Sequence, residues 1–144
     1  MPPVQRKDPF RNFNFLVEID GITQAGFVEV VFPVSEANVV EYREGNEPSA
    51  VRKLLGRIEY GNIILKSGIT DSRELYSWWK AVQDGNIIRK NMSIVLLDER
   101  RREVKRWNVT NAWPAKYQPS ALMAKGNEVA IETLEIAHEK IELA

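Results

Sequence analysis

The 144-residue sequence contains no cysteine and only one histidine, His138. Without cysteine the chain can form neither a disulfide nor a thiolate metal site, and one histidine cannot supply a histidine pair for a metal. A cysteine–histidine dyad is excluded, and a serine–histidine–aspartate triad would have to use His138 inside a glutamate-flanked segment. These absences argue against an enzyme and against a bound metal.

The sequence also lacks phosphate-binding motifs, long apolar runs and a surplus of either charge. Neither GxGxxG nor GxxxxGK[S/T] is present, so no nucleotide cofactor is expected. No stretch approaches the ~20 apolar residues that span a bilayer, and the first ten residues lack the apolar core of a signal peptide. Twenty basic and twenty acidic residues balance, which argues against general binding to nucleic acid or anionic membranes and favours self-association. We expect a protein made in the cytoplasm that does not insert into membranes.

One amphipathic helix is predicted over residues 71–85. Asp71 and Glu74 have the spacing of a capping box, and Gly85 follows the last turn as a natural helix terminator. An apolar stripe with i, i+3, i+4, i+7 spacing runs along the helix and is predicted to pack on a sheet. The stripe consists of Leu75, Trp78, Trp79 and Val82.

Around this helix the sequence alternates with the period of β-strands. Phe13 to Ile19 reads as a half-buried strand, and Asp20-Gly21 predicts a hairpin to the next strand. The composition of the last segment, residues 127–144, favours helix while its alternation favours strand, so both remain open. Glu132 and Glu135 in this segment are expected on a solvent face. The whole pattern predicts one mainly β domain over residues 1–144, of which residues 1–10 form a flexible arm.

An extended loop is predicted over residues 44–56, between two strands. It exceeds the usual hairpin length and carries two adjacent leucines together with charges of both signs. The leucines either tuck under the loop onto their own domain or form a surface for a partner. The partner-contact candidates are Glu44, Glu47, Arg52, Lys53, Leu54 and Leu55.

Several stretches, in order and at consistent spacing, resemble the tail tube proteins of contractile-tailed phages and phage-derived contractile injection systems. They are FRNFNFLVEIDG, GNIILKSGIT, ELYSWW, WNVTNAWPAKY and NEVAIETLEIAHE, and together they cover most of the chain. The resemblance implies a β-barrel or β-sandwich with one flanking helix, and it implies that the final segment is a strand. It further implies hexameric rings stacked into a hollow tube. The implied partners are a contractile sheath, baseplate or hub proteins, tube-terminating proteins, and DNA or effector cargo in the lumen.

Two surfaces of such a tube can be assigned candidate residues. The loop at 44–56 is predicted to join one ring to the next, because opposite charges on one loop can fix register between rings. Polar residues on the sheet face away from the core are predicted to line the lumen; the candidates are Glu18, Glu41, Arg43 and Glu59. The alternative function is a monomeric β-sandwich that binds a ligand or protein against Trp107, Trp113 and Tyr117.

Overall fold

The computed structural model describes residues 14–23, 26–43, 45, 51–126 and 129–144. Within these residues the chain forms nine β-strands and one α-helix, α1, at Glu74–Gln83. The strands are β1 (Phe15–Ile19), β2 (Phe27–Val31), β3 (Ser35–Tyr42), β4 (Arg52–Tyr60), β5 (Ile63–Gly68), β6 (Lys90–Leu97), β7 (Glu103–Pro119), β8 (Ile131–Ala137) and β9 (Lys140–Leu143). The predicted arm at 1–10 lies outside the described residues.

Seven strands form two layers that share the 17-residue strand β7. The first layer has β1 next to β6, β6 next to β7, and β9 on the other side of β7. The second layer runs from the last part of β7 through β8 and β5 to β2. All these pairings are antiparallel, and the remaining strands, β3 and β4, pair only with each other in a separate ribbon.

The strand β7 changes layers at Asn111. This residue has a φ of +51°, a left-handed conformation that Asn tolerates better than most residues. Its backbone N–H donates to Asn91 Oδ1 at 3.1 Å, and its side-chain amide donates to Glu139 Oε2 at 2.7 Å. Glu139 lies between β8 and β9, so the Asn111 side chain joins the bend in β7 to the connection between these two strands.

The core lies between the two layers, where their apolar faces meet. Alternate residues of the strands point inward and are almost fully buried, because alternate strand residues lie on the same face. They include Met92, Ile94 and Val109 from the first layer and Ile63, Leu65, Leu134 and Ile136 from the second. Each buried side chain contributes ~1.5–3 kcal/mol of transfer free energy.

The final segment is strand, as the resemblance implies. Its inward face consists of Glu132, Leu134 and Ile136, so Glu132 is 6% exposed and the expectation of a solvent face is wrong for it. The Tyr117 hydroxyl donates to Glu132 Oε2 at 2.9 Å, which gives the buried carboxylate a partner. Burial, and then this hydrogen bond, raise the pKa of Tyr117 to about 12. Glu135 points to the opposite side and is half-buried.

The helix is shorter than predicted, and its first turn is formed differently. Arg73 is at the N-cap position without a side-chain cap, since a guanidinium has no hydrogen-bond acceptor. The Glu74 carboxylate accepts hydrogen bonds from the backbone N–H and hydroxyl of Thr23, at 2.7 and 2.8 Å. The predicted capping box is therefore wrong. The helix end is as predicted: Gly85 has a φ of +87° and donates to the Val82 carbonyl, while the following residue, Asn86, donates to the carbonyl of Ala81. This is a Schellman motif.

The hairpin predicted at Asp20-Gly21 is reduced to a single bridge. Gly21 has the expected positive φ of +73°, and Ile22 pairs with Ile19. The chain then leaves the first layer, since β1 pairs with β6 whereas β2 pairs with β5. The turn is local and predictable, but the strand that follows it belongs to the other layer.

Candidate assembly surfaces

A row of polar side chains crosses the outer face of the first layer. Glu18, Ser93, Asn108 and Glu142 lie opposite one another in register on the adjacent strands β1, β6, β7 and β9. The Ser93 hydroxyl donates to Asn108 Oδ1 at 2.9 Å. The neighbours of these residues along each strand are in or against the core, except for Leu143 near the end of β9, so this row, the polar face, points outward.

Arg106 lies beside the polar face and joins its strands electrostatically. Its guanidinium lies 2.9 Å from Glu18 Oε2 on β1 and 2.6 Å from Glu103 Oε1 on its own strand. These hydrogen bonds, first to Glu103 and then to Glu18, raise the pKa of Arg106, and the Arg106 hydrogen bond lowers the pKa of Glu103. Every contact of this group is solvent-exposed, so its contribution to stability is small.

The β3–β4 ribbon is the second surface. In register, Val39 lies opposite Leu55 and Val40 opposite Leu54, although these side chains are 50–74% exposed. The chain offers no described strand beside the ribbon, because β3 and β4 pair only with each other. Large apolar side chains are thus displayed on a separate two-stranded element.

A β-bulge at Gly56 determines which side chains of β4 lie on each face of the ribbon. The register shifts between Ala37 and Val39, where two residues of β4, Gly56 and Arg57, oppose the single residue Asn38 of β3. A Cβ on Gly56 would lie 2.9 Å from the Asn38 carbonyl oxygen and 3.1 Å from Val40 Cγ2. Glycine is therefore required there by close approach. Because the bulge inserts one residue, Ile58 lies on the same face of the ribbon as Leu55.

The ribbon corrects the predicted loop at 44–56. Strand β4 begins at Arg52, so Arg52, Lys53, Leu54 and Leu55 are in a strand, not in a loop. Local pattern did not reveal this strand because the bulge interrupts its alternation. Glu44 and Glu47 lie outside the described residues.

The four lumen candidates do not share a surface. Glu18 lies on the polar face of the first layer, whereas Glu41 and Glu59 are on the ribbon and Arg43 follows β3. Glu41 pairs with Lys53, and Glu59 pairs with Glu36, an odd number of residues from Glu41 along β3. Glu41 and Glu59 therefore point to opposite faces of the ribbon. A hydrogen bond from Arg57 lowers the pKa of Glu59.

A comparison with protein families identifies the fold's relatives. The family model described as the T4-like virus tail tube protein gp19 matches residues 11–142. The chain belongs to this tail tube family. It is a structural tube protein, and the mainly β class with one helix predicted from the sequence is confirmed.

Several solved structures contain chains with the same fold. A chain of the anti-feeding prophage tube terminating cap is 23% identical, with a TM-score of 0.87 over 99% of this chain and 95% of that chain. A chain of the extended PVC sheath–tube complex, an extracellular contractile injection system, is 23% identical, with a TM-score of 0.84 over 94% and 91%. Hcp1 from Flavobacterium johnsoniae is 18% identical, with a TM-score of 0.60 over 90% and 93%. A search of curated proteins found no match.

The predicted helix stripe of this tail tube protein is unevenly buried. Leu75 and Trp78 are 0% and 3% exposed within the core, whereas Trp79 and Val82 are half-buried. The indole N–H of Trp78 donates to the Ile88 carbonyl at 2.7 Å, just beyond the helix. Of the two indoles, only Trp78 is a full core residue.

The three aromatic residues of the alternative binding site are separated in the tail tube protein. Trp107 packs edge-on against Phe32 in the first layer, with ring centroids 4.8 Å apart. Tyr117 lies ten residues further along β7, against Tyr76 of α1, with centroids 5.6 Å apart. Their rings are thus occupied by different partners, and Trp113 lies between them at the start of the pairing with β8. Among the described residues, the ring contacts of Trp107 and Tyr117 therefore involve different parts of the chain.

The single histidine has a structural role. His138 Nε2 lies 2.9 Å from the Gly61 carbonyl oxygen, which allows a hydrogen bond at the base of the ribbon, and its ring lies beside Tyr60. Among the residues that the structure describes, no group of three or more metal-ligating side chains is found. In that same part of the chain, no helix has the length and apolarity needed to cross a membrane.

Proposed function

We propose that this tail tube protein forms hexameric rings that stack into the hollow inner tube of a contractile tail or injection system. The observation that carries the proposal is the tail tube family match over residues 11–142. Residues 1–144 would form one tube domain without catalytic activity. Assembly would take place in the cytoplasm, and the tube would become part of a virion tail or an extracellular injection particle.

The edges of the two layers support self-assembly. In the described pairings β1 hydrogen-bonds only to β6, β2 only to β5, and β9 only to β7. Edge strands with unpaired backbone groups readily pair with another chain. A head-to-tail interface that closes into a ring satisfies such edges in every subunit.

The expected partners are inferred from the assemblies that contain chains with a similar fold. The anti-feeding prophage structure is of a tube terminating cap, and the PVC structure is of a sheath–tube complex. We infer that this protein contacts a contractile sheath, a baseplate or hub protein and a terminating protein. Its lumen would conduct DNA or effector cargo.

The experiment that tests the proposal is to purify the protein and examine it by light scattering and negative-stain electron microscopy over a range of concentrations. Rings, stacks or tubes are the expected result. A monomer that persists at high concentration would overturn the proposal and favour the alternative, a monomeric β-sandwich binding module.

We place the polar face on the bore of the tube, with Glu18 as the retained lumen candidate. It combines hydroxyl, amide and carboxylate groups, and its cationic neighbours are paired: Arg106 is bonded to Glu18 and Glu103, and Lys140 is bonded to Glu142. Such a surface has few unpaired charged groups that could bind cargo as it moves through the lumen. Glu41, Arg43 and Glu59 would then contact neighbouring subunits through the ribbon.

The absence of cysteine makes the bore testable by single-cysteine labelling. We expect Asn108→Cys to react with a bulky polyethylene-glycol maleimide in the monomer and to be protected in tubes. Lys80→Cys, on the exposed face of α1, is the matched control and should react in both states. Equal labelling of Asn108→Cys in monomers and tubes would show that the polar face is on the outside.

A further inference from the structure

The side chain of His138 joins the base of the ribbon to the two-layer core. His138 lies between β8 and β9, and its Nε2 is 2.9 Å from the Gly61 carbonyl oxygen. Gly61 directly follows β4, and its N–H donates to the carbonyl of Val34, just before β3, at 2.8 Å. The ring of Tyr60, the last residue of β4, has its centroid 5.7 Å from that of the imidazole. One side chain therefore contacts the place where both ribbon strands meet the core.

The contact with Gly61 determines which ring nitrogen carries the proton. A carbonyl oxygen only accepts hydrogen bonds, so Nε2 must be the donor, and in the neutral ring Nδ1 is then an acceptor without a proton. The residue as a whole is half-buried, but Nδ1 is shielded from water and has no hydrogen-bond partner within the part of the chain that the structure describes. The neutral ring thus fits its site and leaves one acceptor unused.

Protonation changes the fit of the ring. It adds an N–H at Nδ1 and a positive charge, and water solvates both. In the site, the new N–H would meet no acceptor among the described groups. A buried donor without a partner lowers the equilibrium constant for the closed arrangement by roughly tenfold or more. The imidazolium is therefore better accommodated outside the site than in it.

We propose that His138 is a pH-sensitive switch: as the pH falls through the range in which histidine gains a proton, the ring leaves its site and the base of the ribbon loosens from the core. The contact with Gly61 is complete near about pH 8, where the imidazole is neutral, and is lost toward about pH 5. The switch acts within one subunit. Its consequence for a tube, a changed orientation of the ribbon in every subunit, rests on the proposed function.

The other charged or titratable groups around the ring do not share this pH range. Carboxyl groups ordinarily change charge below about pH 5, and phenol, ammonium and guanidinium groups above about pH 8. His138 is the only histidine in the sequence. A structural change at the base of the ribbon between these pH values is therefore assigned to His138. The surrounding groups are Glu36 of β3, Arg57, Glu59 and Tyr60 of β4, Lys116 of β7, Glu135 of β8, Glu139 in the connection between β8 and β9, and Lys140 and Glu142 of β9.

The variant His138→Gln separates the titration from the hydrogen bond. A glutamine amide can place an N–H where Nε2 lies, and it does not change charge with pH. Nuclear magnetic resonance of the dilute monomer at about pH 8 and about pH 5 gives the protection of the Gly61 amide, which is its exchange rate relative to an unstructured peptide at the same pH. We expect the protection to fall about tenfold or more in the wild type at the lower pH, and to stay within about threefold in His138→Gln.

The buried strand amide of Leu134 is the internal reference, and it should keep its protection in both proteins. An unchanged protection of Gly61 in the wild type, or an equal loss in His138→Gln, would overturn the switch. A parallel loss at Leu134 would also overturn it, because general acid destabilisation would then explain the result.

A second measurement uses the wild-type chain alone and does not depend on the folding of a variant. Nitrogen resonances of the His138 ring at about pH 8 should show the proton on Nε2 and none on Nδ1. The Gly61 amide resonance should then move with the same midpoint as the ring. The opposite tautomer, or a Gly61 resonance that does not follow the ring, would overturn the switch. Because all these measurements are made on the monomer, a protein that never forms tubes would overturn the proposed function and leave the switch intact.

Discussion

The two adjacent tryptophans of α1 should differ in their contribution to stability. Trp78 is 3% exposed and donates its indole N–H to the Ile88 carbonyl at 2.7 Å, whereas Trp79 is half-buried. Replacement of a buried Trp by Ala costs ~3–5 kcal/mol through lost transfer energy and the cavity that remains. For Trp79 the buried part of the side chain corresponds to about 1–2 kcal/mol.

The melting temperature provides the measurement. For a domain of this size, 1 kcal/mol corresponds to about 2–4 °C, so Trp78→Ala should lower the melting temperature by roughly 6–20 °C and Trp79→Ala by roughly 2–8 °C. The protein must be dilute enough to remain monomeric, because assembly would add its own stabilisation. Urea unfolding of the same variants should give the same order.

A third variant isolates the hydrogen bond of Trp78. Trp78→Phe keeps an aromatic ring in the core but removes the indole N–H, and the Ile88 carbonyl loses its partner at a cost of about 1–3 kcal/mol. An effect of Trp79→Ala as large as that of Trp78→Ala would refute the different burial of the two rings. An undetectable effect of Trp78→Ala would refute the placement of α1 on the core.

Three further predictions concern the backbone and the buried carboxylate. Asn111→Ala should destabilise the domain by about 1–2 kcal/mol more than Asn111→Gly in urea unfolding, because both variants lose the side-chain hydrogen bond to Glu139 but only alanine strains the left-handed backbone. Equal losses of stability would contradict the role of φ. Gly56→Ala should speed hydrogen exchange in β3 and β4 while the melting temperature of the two-layer core changes little. The reason is that the added Cβ would lie 2.9 Å from the Asn38 carbonyl oxygen. Unchanged exchange rates would show that the bulge accommodates the added methyl group. The pKa of Tyr117 is raised to about 12 from 10.0, so the contribution of its protonated hydroxyl to stability is complete below pH 10 and is lost as pH rises through 12. Tyr117→Phe should remove that part of the alkaline destabilisation. An identical dependence of stability on pH in the variant would argue against this role of Tyr117.

The sequence predicted several elements because their signals are local. The apolar stripe from Leu75 to Val82 and the glycine at position 85 define the helix and its end, and they depend only on residues within a few positions of each other. Strand alternation around Phe15 and Ile19 likewise needs no distant partner. The class, mainly β with one helix, is therefore a property of short-range periodicity.

Errors arose where a distant residue competed with a local rule. Glu74 has the spacing of a capping box, but Thr23, fifty-one residues earlier, takes its carboxylate. Glu132 was expected in solvent because it is charged, yet the Tyr117 hydroxyl provides the partner that makes its burial tolerable. Neither partner could be inferred from the surrounding sequence.

The amino-acid sequence by itself determined the helix end, the clearly alternating strands such as β1 and the tail tube family, since each depends on short stretches of contiguous residues. Only the tertiary structure decided which layer each strand joins, which tryptophan is in the core, and which side chains share a surface. The ribbon shows the physical reason: the bulge at Gly56 shifts the facing of β4 by one residue, so that Ile58 joins the face of Leu55 and Glu41 and Glu59 separate. The face of a sheet on which a side chain lies depends on strand pairing, and pairing is determined by residues far apart in the chain.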